Sequence, residues 1–139
     1  MKKVVFIFLI VLFVLTPLAM QIPTGTKNLA DTFDINPKNI TKLTLNIPYQ
    51  NNYKSTTDKK KINAFIHYFN QVTYDRLRGD VTAYMPTKAS IIYVYGNDKS
   101  DFIVPYEKEV MISHKVYKVE NGVIENDFII KFYNSLDRK

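Results

Sequence analysis

The stretch ASIIYVYGNDKSDFIVPY, residues 89–106, decides the fold. It contains two runs rich in β-branched and aromatic residues, at 90–95 and 101–106. The polar segment 96–100, which begins with a glycine, lies between them. Two such runs around a short glycine-containing segment are typical of a β-hairpin. The sequence therefore predicts an antiparallel sheet, against which the other segments must pack.

Shorter strand patterns lie on both sides of this hairpin. Before it, polar residues alternate over 42–47 with apolar ones, the period of a half-buried strand: Leu43, Leu45 and Ile47. After it, residues 109–113 and 115–120 predict two more short strands joined by a tight turn near Ser113-His114. The sheet is therefore expected to have about five strands and to be mostly antiparallel.

Two segments have the period of an amphipathic helix. The first is TDKKKINAFIHYFNQV, residues 57–72, with Thr57 as the expected N-cap. Its apolar residues share one face: Ile62, Phe65, Ile66, Phe69 and Val72. The second is ENDFIIKFYNSL, residues 125–136, where Asn126 or Asp127 could cap the helix. Each helix has one apolar face that must be covered.

The order of these elements, β-α-β-β-β-β-α, predicts an α+β two-layer sandwich. Both helices are expected on one face of the sheet, because two amphipathic helices and one half-buried sheet can close a single core in this way. The other face is expected to stay open to solvent. We assign residues 39–139 to this globular domain and residues 23–38, rich in Pro, Thr, Asn and Asp, to a linker.

The chain begins MKKVVFIFLIVLFVLTPLAM, which predicts an apolar helix before the linker. Residues 1–22 fit either a signal peptide or an N-terminal membrane anchor. Residues 4–15 are unbroken apolar sequence, but a small-x-small cleavage site is poorly formed. Lys2 and Lys3 favour a cytoplasmic N-terminus, so in both readings the domain lies outside the cytoplasm. The protein is then either on the outer face of the cell membrane or secreted.

Composition limits the chemistry that the domain can perform. The 139 residues include no cysteine, which excludes disulfides and thiol catalysis. The formal net charge is +6, and without Lys2 and Lys3 it is +4, since 17 basic residues then face 13 acidic ones. A positive balance favours anionic surfaces such as wall polymers. No basic stripe with interleaved aromatics is present, so nucleic acid is not an expected partner.

No catalytic, cofactor-binding or metal-binding residue is predicted. The two histidines, His67 and His114, lack a second ligand at helical metal-site spacing. The four glycines stand singly, so no phosphate-binding loop is formed, and no serine lies in a G-x-S-x-G elbow. We therefore expect a protein that is not an enzyme.

Tyrosine is the most unusual feature of the composition, with ten copies and no tryptophan. Tyr93 and Tyr95 share one face of a predicted strand and are candidates for contact with a partner. The alternative is that they lie beneath the helices, because Ile91 shares their face. Arg76 and Arg78 are a second candidate contact, able to hold an anion, or are ordinary solvated loop charges.

The segments TDKKKINAFIHYFNQV, VYKVENG and FIIKFYNSL, with the hairpin between the first two, resemble small exported proteins of low-GC Gram-positive bacteria that carry a domain of unknown function. The resemblance covers about residues 40–136. It implies an exported α+β domain and carries no catalytic motif.

These observations favour a binding or accessory module that is membrane-tethered or secreted. Its expected partners are the membrane, through the N-terminal segment, and a protein or cell-wall component. Two alternatives remain open at this point: a small enzyme or inhibitor acting on the envelope, and a structural envelope protein.

Overall fold

The computed structural model describes residues 26–77 and 88–136 of the chain. Short 3-10 helices at Leu29–Asp31 and Pro37–Asn39 precede the regular elements. The strands are β1 (Lys42–Asn46), β2 (Lys54–Thr56), β3 (Thr73–Arg76), β4 (Ile91–Tyr95), β5 (Ser100–Tyr106), β6 (Glu109–Ile112) and β7 (Lys115–Glu120). Helix α1 (Lys59–Phe69) lies between β2 and β3, and α2 (Asn126–Asn134) follows β7.

All seven strands form one antiparallel sheet in the order β2-β1-β4-β5-β6-β7-β3. The predicted hairpin is confirmed as β4 and β5, with Ile92 opposite Ile103. The predicted turn between β6 and β7 is confirmed as well. Its two residues, Ser113 and His114, have φ of 50° and 62°. A left-handed pair of this kind matches the twist of the flanking strands in a two-residue hairpin.

The expectation of about five strands was too low. The two strands that it missed, β2 and β3, contain three and four residues and lie at opposite edges of the sheet. β2 falls in a segment that reads as loop, and β3 in a polar connection. Neither strand is long enough to show an alternation of buried and exposed residues. Of the seven residues in the two strands, Tyr74 is the one that is fully buried. They form strands because β2 pairs with β1 and β3 pairs with β7, and not because of a pattern in their own sequence.

Both helices lie on one face of the sheet, as predicted. Phe65 of α1 packs against Phe128 and Phe132 of α2, with ring centroids 6.2 and 5.1 Å apart. Beneath them lie the buried side chains of alternate strand positions, among them Leu43, Leu45, Ile92, Val94 and Ile103. Within the part of the chain that the structure describes, the residues of this main core lie between Leu29 and Leu136.

The helix caps differ from the expectation by one residue. Asp58, not Thr57, is the N-cap of α1, and its carboxylate accepts a hydrogen bond from the Lys60 N–H at 2.8 Å. At α2 the N-cap is Glu125, whose side chain makes no capping bond within the described chain. Instead its backbone N–H donates to the Tyr68 hydroxyl of α1 at 2.8 Å. A tertiary contact thus holds the start of α2 in the place of a local cap.

The opposite face of the sheet is not fully open, contrary to expectation. A second, smaller cluster is buried there, formed by Val104, Met111 and Val116. Half-buried neighbours pack against it, including Leu77 and Ala89, which flank the stretch 78–87. The solvent-facing part of this face is therefore confined to the remaining positions, which include alternate residues of β1 and β4.

The described part of the predicted linker packs as part of the domain. Lys27 exchanges two backbone hydrogen bonds with Tyr74 of β3, at 2.7 and 2.8 Å. Leu29, Phe33 and Ile35 are buried in the main core. These apolar residues are spaced irregularly in a polar sequence, so no period marks them. The N-terminal segment 1–22 lies outside the described residues. Within 26–77 and 88–136, no helix is both long and apolar enough to cross a bilayer.

Candidate functional site

Tyr93 and Tyr95 face away from the helices. Their neighbours Ile92 and Val94 are fully buried on the helix side, and side chains alternate along a strand. Both tyrosines are half-buried, and Tyr93 lies opposite Thr44 of β1 and Phe102 of β5. The alternative in which they lie beneath the helices therefore does not hold.

Five aromatic side chains lie together on this face, and we call them the aromatic strip: Tyr53, Tyr93, Tyr95, Phe102 and His114. The rings of Tyr53 and Tyr93 are 6.4 Å apart between centroids. The His114 ring meets Phe102 edge-on at 4.7 Å. The Lys42 ammonium lies 5.2 Å from the centre of the Tyr95 ring. The strip thus crosses β1, β4 and β5 from the β2 edge to the β6–β7 turn.

Hydroxyl and amide groups border the aromatic strip on β1 and β2. The hydroxyls of Thr44 and Ser55 are hydrogen-bonded at 2.9 Å, and Asn46 lies on the same face. At the far side of the sheet the face becomes charged, with Lys118 and Glu120 paired at 2.8 Å. The strip is therefore an aromatic surface with hydrogen-bonding groups at one border and charges beyond the other.

The structure places Arg76 away from the strip. Arg76 ends β3 at the far edge of the sheet, in register with Tyr117 on the helix side. Burial raises the pKa of Tyr117, and the charge of Arg76 offsets part of that increase. Arg78 lies outside the described residues. Arg76 therefore does not act together with Tyr93 and Tyr95.

The histidines do not form a metal site. His67 is exposed on α1, and His114 belongs to the aromatic strip. Within the described ranges, no group of three or more His, Asp or Glu side chains is arranged to hold a metal ion.

Sequence reasoning missed an apolar groove of about 700 Å³ at one end of the sheet. Its walls come from the ends of β1 and β5, the residues before β4, and the start of α2. The lining side chains are mostly aliphatic: Ile47, Pro48, Ala89, Pro105, Ile124, Ile129 and Ile130. Polar or aromatic ones complete the lining: Tyr49, Gln50, Lys88, Ser90, Tyr106, Glu107 and Asn126. No local pattern predicts it, because four separate segments contribute.

Two observations set the groove apart from an ordinary surface depression. Tyr49 and Glu107, on its two sides, both have left-handed backbone, with φ of 65° and 66°. Non-glycine residues in this region are strained by about 1 kcal/mol or more, and such strain concentrates at functional sites. In addition, Tyr49 and Ile130 are two of the four large apolar residues that are exposed in the described chain. A groove of this size and lining is typical of a small-molecule site.

The fold and these two surfaces define a small α+β domain with an aromatic sheet face and an apolar groove. Comparisons with protein-family models, with curated proteins and with solved structures find no match. The chemistry of the two surfaces therefore carries the functional proposal.

Proposed function

We propose that the protein is a non-catalytic binding module outside the cytoplasm, tethered to the membrane by residues 1–22 or secreted. Its aromatic strip binds a polysaccharide of the cell envelope. The observation that carries this proposal is the position of Tyr93 and Tyr95: half-buried, facing away from the helices, and side by side with Tyr53 and Phe102.

The shape of the strip suits a sugar chain. One face of a pyranose ring presents C–H groups, which pack well against the negative face of an aromatic ring. Tyrosine adds a hydroxyl to this apolar area and loses little conformational entropy on binding. The hydroxyls of Thr44 and Ser55 and the amide of Asn46 border the rings and can bond to sugar hydroxyls. A protein partner more commonly anchors through a desolvated pocket at the centre of the interface.

The charge of the domain favours an anionic polysaccharide. Without Lys2 and Lys3, basic residues exceed acidic ones by four, and the Lys42 ammonium lies over Tyr95 within the strip itself. A positive surface raises the local concentration of an anionic polymer and accelerates its association. We therefore expect wall polysaccharide that carries phosphate or carboxylate groups to bind more tightly than the same material after those groups are removed.

Co-sedimentation tests the proposal. The chain 26–139, verified by a cooperative thermal unfolding transition, is mixed with cell-wall polysaccharide from a Gram-positive bacterium, before and after removal of its anionic polymers. The Y93A/Y95A double variant should bind at least tenfold more weakly. Y49A is the matched control, because Tyr49 is exposed but lies outside the strip. Equal binding by the parent and the double variant, or loss of binding in Y49A alone, would reject the strip as the contact surface.

A further inference from the structure

The groove at the end of the sheet contains a polar group that the fold itself leaves unused. Ser90 is only 5 % exposed, and its hydroxyl makes no hydrogen bond with any residue of the described chain. Within the described chain, no fully buried side-chain polar atom lacks a partner. The Ser90 hydroxyl is therefore reachable from outside, and the groove that it lines provides the opening.

The residues that line the groove include two chemical kinds that together suit one class of ligand. Ser90 and Lys88 lie in the short segment before β4 and are a hydrogen-bonding group and a positive charge. Ile124, Ile129 and Ile130 come from α2 and the residues before it, and they are aliphatic. The Lys88 ammonium lies 5.3 Å from the centre of the Tyr49 ring, which also lines the groove. An aliphatic ligand with one anionic head matches this division.

We infer that the groove binds a single fatty-acid chain. Its carboxylate would be held by the Ser90 hydroxyl and the Lys88 ammonium, and its chain would lie along the isoleucines of α2. The groove volume of about 700 Å³ is in the range of ligand sites. Glu107 also lines the groove and opposes an anionic head, so its charge lowers the affinity. This site is separate from the aromatic strip. Side chains alternate along a strand, so Ser90 lies on the same side of the sheet as Ile92, which faces the helices.

The head group can be tested with probes of equal chain length. Dodecanoate, dodecanol and dodecylammonium, each below its micelle-forming concentration, are titrated into the chain 26–139 by calorimetry. Dodecanoate should bind with a stoichiometry of one and most tightly, and dodecylammonium most weakly. S90A and K88Q should each weaken dodecanoate binding by about tenfold, as expected for a lost bond to a charged group. E107Q should strengthen it.

The position of the chain can be tested with two exposed aliphatic residues. Ile130 is 37 % exposed and lines the groove, whereas Val123 is 41 % exposed and does not. I130E should abolish dodecanoate binding, and V123E should leave it unchanged. Both substitutions are at the surface, so both variants should fold, and thermal unfolding checks this. Y93A/Y95A should bind dodecanoate like the parent, which separates this site from the polysaccharide surface.

Three results would overturn the inference. The first is the absence of saturable dodecanoate binding to the parent. The second is equal binding by I130E and V123E, which would place the chain elsewhere. The third is dodecylammonium binding as tightly as dodecanoate, which would show that Ser90 and Lys88 do not hold an anionic head.

Discussion

The buried carboxylate of Asp101 accepts a hydrogen bond from the hydroxyl of Ser113, in the turn between β6 and β7. The same carboxylate accepts the backbone N–H of Asp34 at 3.2 Å and that of Phe102 at 2.8 Å. One side chain at the start of β5 thus joins the N-terminal segment, the central hairpin and the β6–β7 turn. Because Ser113 has left-handed backbone, this bond also helps to hold a strained turn.

Replacing Asp101 by alanine should lower the free energy of unfolding by about 2–4 kcal/mol, because the substitution leaves the Ser113 hydroxyl and the Asp34 N–H without an acceptor. S113A should cost about 1–2 kcal/mol, since the carboxylate keeps its two backbone donors. Urea unfolding at neutral pH measures both changes. D98A is the control, as Asp98 is exposed in the same hairpin. A D101A variant as stable as D98A would show that the carboxylate does not join these segments.

The cap of α1 provides a second test, between two adjacent residues. D58A should destabilise the protein by about 1 kcal/mol, because the Lys60 N–H loses the acceptor that lies 2.8 Å away. T57A should change the free energy of unfolding by less than about 0.5 kcal/mol, the usual range for an exposed site. Thermal unfolding of the two variants compares them directly. A larger loss of stability in T57A than in D58A would show that Thr57, as the sequence predicted, is the N-cap.

The hydroxyl of Tyr74 couples stability to alkaline pH. It donates to the Phe69 carbonyl at 2.5 Å, and burial raises the pKa of Tyr74 far above its ordinary value of 10.0. Y74F should cost about 1–2 kcal/mol at pH 7 through loss of this bond. Above pH 10 the unfolded chain releases the proton and the folded chain keeps it, so rising pH favours unfolding of the parent.

The difference between the parent and Y74F should therefore shrink above pH 10, by up to about 1.4 kcal/mol per pH unit. Urea unfolding at pH 7, 10 and 11.5 measures it. Y49F, at an exposed tyrosine, should follow the parent at each pH. A constant difference between parent and Y74F across this range would mean that the Tyr74 hydroxyl does not titrate differently in the folded and unfolded chains.

The strongly periodic elements could be predicted from the sequence, and the short ones could not. The alternation of Leu43 and Leu45, and the one-sided apolar face around Phe65, specify their own strand and helix. β2 and β3 have too few residues for a period, and pairing with β1 and β7 defines them. Similarly, Asp58 rather than Thr57 caps α1 because the chain geometry at the end of β2, not composition, selects the position.

The candidate sites, too, could be predicted from the sequence only in part. The spacing of Tyr93 and Tyr95 places both on one face, but Ile91 shares that face, so the sequence does not say which face the helices cover. The register with β1 decides it, because Val94 lies opposite Leu43 in the main core. The groove could not be predicted at all, since its walls meet only when the strand ends and α2 are in place.

The pairing of Lys27 with Tyr74 has a consequence for the reach of the domain. In the tethered form that we propose, only residues 23–26 separate the apolar segment from this fixed point, which allows at most about 18 Å of extended chain. A free linker over residues 23–38 would allow more than three times that distance, about 60 Å. In the tethered form, Lys27 would therefore stay within about 18 Å of the end of the apolar segment, and the domain would lie close to the bilayer surface. A polymer or lipid would then have to approach the bilayer to reach either candidate site.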